Sequence, residues 1–194
     1  MTPIYKKGDP KLASNHRPIS IVPIISKIIE KCVKHQLYKF LETSKILTSS
    51  QYGFRSGLST IKAVEKIVTD VLECFESREI LGMTLVDLSK AFDTVSHKTI
   101  LEKLRFYGIK NTELKFFEHY LTGRTQTVIV GNKSSCRGTI LAGVPQGSVL
   151  GPILFILAIN DLSCNLTYKS VLYADDTSLI VKGKTEDEVK SKVM

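Results

Sequence analysis

Two adjacent carboxylates, Asp175 and Asp176, stand between two short apolar runs near the end of the sequence. The runs, Ser170 to Tyr173 and Thr177 to Val181, predict two strands joined by a tight turn, because Asp is tolerated at turn positions that most residues avoid. Adjacent acids repel each other, and their hard oxygen atoms suit Mg²⁺ or Mn²⁺. These residues could therefore bind a divalent ion at the end of a sheet, and a solvated turn is the alternative.

A third carboxylate, Asp87, follows the apolar run Met83 to Val86, which predicts a short buried strand. If this strand neighbours the later hairpin in one sheet, three carboxylates meet at one edge. Such a set can hold two divalent ions, of which one lowers the pKa of an attacking hydroxyl and the other stabilises a leaving phosphate. A helix cap or a turn residue is the alternative role for Asp87.

Apolar spacing predicts the elements that must position these acids. Helical periodicity indicates a core-facing helix from Pro23 to Leu41 and a second helix, capped by Ser59 or Thr60, that ends near Arg78. Further predicted elements are a helix capped by Ser96 and closed near Gly108, a helix from Thr112 to Leu121, strands at Gln126 to Val130 and Cys136 to Leu141 around the turn Gly131-Asn132, a buried helix after Pro152, and a last helix with a capping box of Thr185 and Glu188. The order of elements is mixed α and β.

Composition restricts the class of protein. The 194 residues, 43% hydrophobic and 24% charged, indicate a globular chain with a real core, and the net charge of +8 attracts a polyanion such as nucleic acid or a membrane surface. The start of the chain has no signal-peptide pattern, and the longest apolar run, Val149 to Ile159, is shorter than the roughly 20 residues that span a bilayer. We therefore expect an intracellular, non-secreted chain without a membrane partner.

Five sequence blocks occur together in a fixed order. They are Asn15-His16-Arg17-Pro18-Ile19-Ser20, Gln51-Tyr52-Gly53-Phe54-Arg55, Leu85-Val86-Asp87-Leu88-Ser89-Lys90-Ala91-Phe92-Asp93, Gly143-Val144-Pro145-Gln146-Gly147-Ser148-Val149-Leu150-Gly151-Pro152 and Tyr173-Ala174-Asp175-Asp176. This series resembles the ordered motif set of reverse transcriptases, in particular those of non-LTR (LINE-type) retrotransposons. The resemblance covers nearly the whole chain.

The resemblance implies an α+β fold, the fingers and palm of a right-hand polymerase, with a ferredoxin-like palm sheet backed by helices. Residues from 1 to about 80 would be mainly fingers, and residues from about 81 to 194 mainly palm, truncated after the catalytic hairpin. The thumb would be absent. Because a thumb holds the template-primer duplex largely through its phosphates, its absence should reduce processivity and affinity.

The resemblance also implies the roles of individual residues in the site. Asp87, Asp175 and Asp176 fall on the catalytic acids that bind two Mg²⁺ (or Mn²⁺) ions, and the Leu88 carbonyl is a further ligand.

Four other residues fall on nucleotide-binding positions. Arg17 matches an arginine that contacts the incoming triphosphate, and Phe92 matches a bulky side chain that excludes the 2′-hydroxyl of a ribonucleotide. Gln146 and Gly147 match a loop against which the nucleotide and the template lie. A solvated basic loop, a core phenylalanine and an ordinary loop are the respective alternatives.

The function implied is an RNA-directed DNA polymerase that joins a dNTP to a primer 3′-hydroxyl on an RNA template, with the oligomeric state open. A catalytically inactive nucleic-acid-binding remnant is the alternative. An RNA-templated RNA polymerase would share the two-metal chemistry, but Phe92 favours a DNA product. A nucleoside triphosphatase is set aside, because Ser178 occupies the position where a phosphate-binding loop ending in Gly183-Lys184-Thr185 needs glycine.

Overall fold

The computed structural model describes residues 1–88 and 90–193. The chain forms two compact units: unit 1 contains Met1–Ser44 and Lys90–Ala158, and unit 2 contains Lys45–Ser89 and Ile159–Met194. Ser89, which belongs to the third sequence block, and Met194 lie outside the described residues. The fingers and palm boundary near residue 80 is a division by function and stays a prediction.

The chain contains both helices and strands, in agreement with the predicted α+β class. In chain order they are β1 (Thr2–Tyr5), β2 (His16–Ile19), α1 (Ile24–Thr43), α2 (Thr60–Glu76), β3 (Ile80–Asp87), α3 (Ala91–Thr94), α4 (His97–Phe106), α5 (Asn111–Leu121), β4 (Thr125–Gln126), β5 (Ile129–Val130), β6 (Lys133–Ser134), β7 (Gly138–Thr139), α6 (Gly151–Ala158), β8 (Lys169–Tyr173), β9 (Asp176–Gly183) and α7 (Glu186–Val193). No described helix is long and apolar enough to cross a membrane.

Helix α6 lies in the core of unit 1. Its residues from Ile153 to Ala158 are all buried, since the helix is apolar on every side and has no face for water. Helix α4 packs against both α6 and α5, and its Ile100 and Leu104 are fully buried. The predicted buried helix from Ile153 to Ile159 is therefore confirmed, although it begins two residues earlier, at Gly151, and ends one residue earlier, at Ala158.

Helix α1 forms where periodicity predicts it, but it faces the core only in part. Leu37 and Leu41 are buried, whereas Ile24 and Ile25 in the first turn are 78% and 73% exposed. The prediction of a core-facing helix is thus wrong for its first half. Periodicity shows that a stripe is apolar, but it does not show which other element covers that stripe.

A hairpin forms at Gly131-Asn132, but its second strand is β6 and not the predicted strand from Cys136 to Leu141, of which only Gly138–Thr139 is a strand. Strands β5 and β6 flank this turn, while β4 pairs separately with β7. The predicted strand from Gln126 to Val130 is therefore divided in two.

The sheet of unit 2 is antiparallel, with the order β3-β9-β8. Helix α2 packs on β8 and β3, and α7 packs on β3 and β9. A Cβ on Gly82 would lie 2.4 Å from the Val189 Cγ1 atom, so glycine allows α7 to approach the sheet closely. The predicted strand that ends at Asp87 is present as β3. It lies at an edge of the sheet and its Leu85 is 72% exposed, so the prediction that it is buried is wrong.

Three predicted helix caps form. Ser59 Oγ accepts a hydrogen bond from the Lys62 N–H, and Ser96 Oγ accepts one from the Thr99 N–H, each at 3.4 Å. At α7, Thr185 Oγ1 accepts from the Glu188 N–H at 3.2 Å. These local signals place α2, α4 and α7 correctly because a cap depends on residues within one turn.

A buried carboxylate joins α2 to strand β8. Asp70 is 1% exposed, and its Oδ1 atom accepts hydrogen bonds from Lys66 Nζ at 3.0 Å and Lys169 Nζ at 3.1 Å. Burial acts to raise the pKa of Asp70, but the two ammonium groups outweigh it and hold the pKa below its ordinary value. A depressed pKa means that the ionised carboxylate stabilises the folded state above its unfolded pKa.

We predict that Asp70→Asn lowers the free energy of unfolding by about 1–3 kcal/mol at neutral pH, because it removes the charge from two ionic hydrogen bonds. The difference from wild type should shrink as the pH falls below about 4, since the wild-type carboxyl then becomes protonated. Urea unfolding at several pH values measures this, with the exposed Glu76→Gln as control. A difference that does not depend on pH would contradict the ionic role.

Candidate active site

The register of the unit 2 sheet brings the predicted acids together. Strand β3 pairs with β9 so that Asp87 lies opposite Asp176, and β8 pairs with β9 so that Tyr173 also lies opposite Asp176. Ala174 and Asp175 form the two-residue loop of the β8–β9 hairpin. The strand that ends at Asp87 is therefore a direct neighbour of the hairpin. Asp87 and Asp176 are exposed, and Asp175 is half-buried.

Directly opposed residues of an antiparallel pair share a face, with their Cβ atoms about 4.5–5.5 Å apart, and like charges there are destabilising. Within residues 1–88 and 90–193, no lysine, arginine or histidine forms an ion pair with Asp87, Asp175 or Asp176. The three carboxylates thus leave negative charge uncompensated at this edge of the sheet.

The donor chemistry of this edge fits a hard divalent cation, because carboxylate oxygens are the ligands that Mg²⁺ prefers. In the described part of the chain, no group of three or more His, Cys, Asp and Glu side chains is already assembled at the spacing of a metal site. Leu88, whose carbonyl is the fourth predicted ligand, follows β3 directly. The edge therefore supplies suitable ligands that are not drawn into a complete coordination shell.

The loop that contains Gln51 holds the hairpin turn. The Tyr52 N–H donates to the Leu172 carbonyl, and the Leu172 N–H donates to the Ser50 carbonyl, both at 2.8 Å. The Gln51 side chain, 2% exposed, accepts a hydrogen bond at Oε1 from the Ala174 N–H at 3.1 Å. Sequence reasoning placed this loop beside no other element, because nothing in its own residues indicates the hairpin as its partner.

Unit 1 brings together three of the predicted nucleotide-binding residues. The Val144 N–H donates to the Phe92 carbonyl at 2.7 Å, and Gln146 Nε2 donates to Asp93 Oδ1 at 3.0 Å. These bonds join the segment of Phe92 to the loop of Gln146 and Gly147.

Gly147 occupies a position that only glycine fits. Its φ is +100°, and a Cβ there would lie 2.9 Å from the Ser20 carbonyl oxygen. The Ser20 N–H also donates to the Gln146 carbonyl at 2.8 Å. The Gln146-Gly147 loop therefore runs against the chain just after β2, which carries Arg17.

Arg17 lies on β2 opposite Ile4 and is exposed. Among the described residues it forms no ion pair, so its guanidinium is available to an external anion. A guanidinium presents forked donors that match phosphate oxygens and stays charged at neutral pH.

The Phe92 ring stacks on the ring of Phe155, with the centroids 4.3 Å apart and an angle of 23° between the planes. Phe155 is fully buried in α6, whereas Phe92 is half-buried. One face of the Phe92 ring thus belongs to the core of unit 1.

Sequence reasoning missed Glu30, which anchors the same loop. Glu30 is 3% exposed, and its Oε2 atom accepts hydrogen bonds from the Val149 N–H at 2.7 Å and the Leu150 N–H at 3.0 Å. Burial raises the pKa of Tyr120 to about 12, and the Glu30 charge acts in the same direction. Glu30 is one of several charged and polar residues of α1, so its neighbours in the sequence give no signal of this role.

A family profile and two relatives of known sequence identify the same family for this chain. The profile of the reverse transcriptase (RNA-dependent DNA polymerase) family matches residues 4–194. The probable RNA-directed DNA polymerase from transposon BS of Drosophila melanogaster is 33% identical over 192 residues, covering 91% of this chain and 20% of that protein. The RNA-directed DNA polymerase from mobile element jockey of the same organism is 31% identical over 191 residues, covering 94% of this chain and 21% of that protein. These matches confirm the resemblance seen in the five sequence blocks.

The chain thus spans 20% and 21% of the length of these two relatives. Among solved structures, apo telomerase from Candida tropicalis, truncated from its C-terminal domain, superposes with a TM-score of 0.59 at 16% identity, over 87% of this chain and 36% of that one. At this identity the likeness shows a shared fold. It confirms the polymerase fold class that the sequence blocks imply.

We predict that Glu30→Ala lowers the free energy of unfolding by about 2–4 kcal/mol, because the buried Leu150 N–H and the half-buried Val149 N–H lose their acceptor. Amide hydrogen exchange at Val149 and Leu150 should accelerate in the same variant. The control is Glu113→Ala, at an exposed position of α5. Unchanged exchange at both amides would show that Glu30 does not hold the loop.

Proposed function

Because the chain belongs to the reverse transcriptase (RNA-dependent DNA polymerase) family, we propose that it is the polymerase domain that extends a DNA primer with deoxynucleotides on an RNA template. One observation carries the proposal. Asp87 lies opposite Asp176, which follows Asp175 in the chain, and no cationic side chain among the described residues forms an ion pair with any of the three. Membership of the family suggests the reaction, and the carboxylates without an ion pair are the reason to expect a bound cation.

The three acids, with the Leu88 carbonyl, are the groups that would hold two divalent ions, Mg²⁺ or Mn²⁺. Ions bound there would lower the pKa of the primer 3′-hydroxyl and stabilise charge on the leaving pyrophosphate. The contribution of the protein is a sheet edge at which Asp87 and Asp176 lie opposite each other and are exposed. An exposed position also lets the ligands exchange water for substrate oxygens.

In the reaction, the primer 3′-oxygen forms a bond to the α-phosphorus of the dNTP, and the bond from that phosphorus to the bridging oxygen of the β-phosphate breaks. Pyrophosphate leaves with the electron pair, and the 3′-hydroxyl proton goes to solvent. Arg17 binds the triphosphate, since its guanidinium has no internal partner among the described residues. Gln146 and Gly147 present the loop on which the nucleotide and template rest.

Phe92 selects the sugar in this proposal. Its ring cannot retreat, because Phe155 stacks on one face and is itself fully buried. A 2′-hydroxyl would therefore meet a fixed carbon surface and lose its hydrogen bonds to water without replacement.

Membership of the family suggests a nucleic acid partner, and the charge of the chain supports it. A net charge of +8 favours association with a phosphate backbone, and such binding weakens as the salt concentration rises, because the counterions that the protein releases from the nucleic acid then gain less entropy. The substrate set is an RNA template with a DNA primer and dNTPs.

We predict that Asp175→Asn and Asp87→Asn each reduce primer extension on an RNA template by about a thousandfold or more, because each removes a charged ligand. Neither change should lower the free energy of unfolding, because each removes one of three neighbouring negative charges. For Asp87→Asn the repulsion relieved is about 0.2–1 kcal/mol. Single-turnover extension with Mg²⁺ or Mn²⁺ and thermal unfolding measure the two effects. The exposed Asp187→Asn is the control.

Extension that survives Asp175→Asn would refute the assignment of the acids. A folded wild-type chain that binds the RNA template and primer but extends nothing would refute the polymerase proposal. That second outcome would identify a catalytically silent nucleic-acid-binding protein.

We predict that Phe92→Val raises incorporation of rNTP relative to dNTP by about tenfold or more, because the smaller side chain leaves room for the 2′-hydroxyl. Competition between the two nucleotides in primer extension measures the ratio. Phe106→Val, at a position 83% exposed, is the matched control. An unchanged ratio would assign Phe92 to the core alone.

A further inference from the structure

The residue before the two adjacent acids has a backbone conformation that L-amino acids rarely adopt. Ala174 has a φ of +59° and is the first central residue of the two-residue loop between β8 and β9. In such hairpin loops this position is usually glycine, because a Cβ is unfavourable there. Ala174 therefore needs an external constraint, or the turn relaxes to another geometry.

The Gln51 side chain supplies that constraint through its carboxamide. Its Oε1 atom accepts from the Ala174 N–H at 3.1 Å, and its Nε2 atom donates toward the Ala174 carbonyl at 3.5 Å. The same Oε1 atom also accepts from the Gly53 N–H at 2.8 Å, which fixes the carboxamide in turn. Gln51 is 2% exposed and Ala174 is 6% exposed, so water cannot take the place of these partners.

The backbone of the Gln51 loop lies directly against the turn. A Cβ on Gly53 would be 2.3 Å from the Ala174 nitrogen and 3.0 Å from the Tyr173 carbonyl carbon. Glycine at residue 53 is therefore required for this approach. Two independent features, the buried Gln51 carboxamide and the close contact of Gly53, thus fix the peptide group between Tyr173 and Ala174.

We propose that Gln51 is a positioning residue for metal binding, which sets the Ala174 peptide from which the Asp175 and Asp176 carboxylates extend. The inference rests on the proposed function of those acids. A rotation of the Ala174 peptide moves both following residues, because their backbone positions depend on it. Gln51 contacts no metal or substrate itself; it acts through the geometry of the turn.

The test compares Mn²⁺ binding and catalysis in Gln51→Met, which keeps the length of the side chain and removes both polar groups. We expect the Mn²⁺ dissociation constant, measured by electron paramagnetic resonance without nucleic acid, to rise about tenfold, the change that a modest loss of ligand orientation causes. In primer extension kcat should fall while KM for dNTP changes little, because the proposed nucleotide-binding residues are held in unit 1. A purely structural role would change neither Mn²⁺ affinity nor kcat in the folded variant.

A matched control is Gln36→Met, the same chemical change at an exposed position of α1. Gly53→Ala is a second variant, which displaces the Ala174 peptide while the Gln51 carboxamide stays. Its control is Gly138→Ala, where an added Cβ meets no atom within 4 Å. If Gln51→Met does not fold, the Mn²⁺ dissociation constant of Gly53→Ala decides whether the inference stands.

A folded Gln51→Met or Gly53→Ala protein with wild-type Mn²⁺ affinity would overturn the inference. A wild-type chain that does not bind Mn²⁺ would also overturn it. A wild-type chain that binds Mn²⁺ but extends no primer would contradict the proposed function instead, and the Mn²⁺ comparison among variants would still decide the role of Gln51.

Discussion

The pairing of β3 with β9 is the constraint on which the candidate site depends. It places two carboxylates opposite each other at one end of a three-stranded sheet, in an arrangement that electrostatics opposes. The sheet must obtain its stability elsewhere. It does so from apolar packing of α2 against Val171 and Ile180, from the close approach of α7 at Gly82, and from the ionic contacts of Asp70 with Lys169 at the opposite end of β8.

In each unit a buried polar side chain from a distant segment holds a loop that carries candidate site residues. In unit 2 the Gln51 carboxamide binds the hairpin turn, and in unit 1 the Glu30 carboxylate binds the amides that precede α6. Each anchor bonds backbone groups, so the geometry that it imposes does not depend on which side chains the loop carries. A loop held in this way can carry residues that contribute little to its own stability, such as Asp175 or Gly147.

The sequence predicted those features that depend on neighbouring residues. The hairpin around Asp175, the caps at Ser59 and Ser96, and the buried helix after Pro152 all follow from patterns within a few positions, and each is present in the structure. The resemblance of five blocks to reverse transcriptases then located the acids and the loop of Gln146. The roles of these residues in metal and nucleotide binding stay predictions.

What the sequence could not indicate are contacts between distant segments. Glu30 bonds a residue 119 positions away, and Gln51 bonds one 123 positions away. Nothing local distinguishes them from surface residues, since a glutamate or glutamine in isolation prefers water. The exposure of Ile24 and Leu85 was missed for the same reason: an apolar pattern indicates what could be buried, and only the fold shows what covers it.

The edge position of β3 has a consequence for the colloidal behaviour of the chain. Among the described strands β3 pairs only with β9, so its other side presents unpaired backbone N–H and C=O groups. Edge strands are usually protected by charges, prolines or bulges. Over its eight residues β3 carries a single charge, at Asp87, and Leu85 is 72% exposed. The segment that carries Asp87 is thus also an edge through which two copies of the chain can associate.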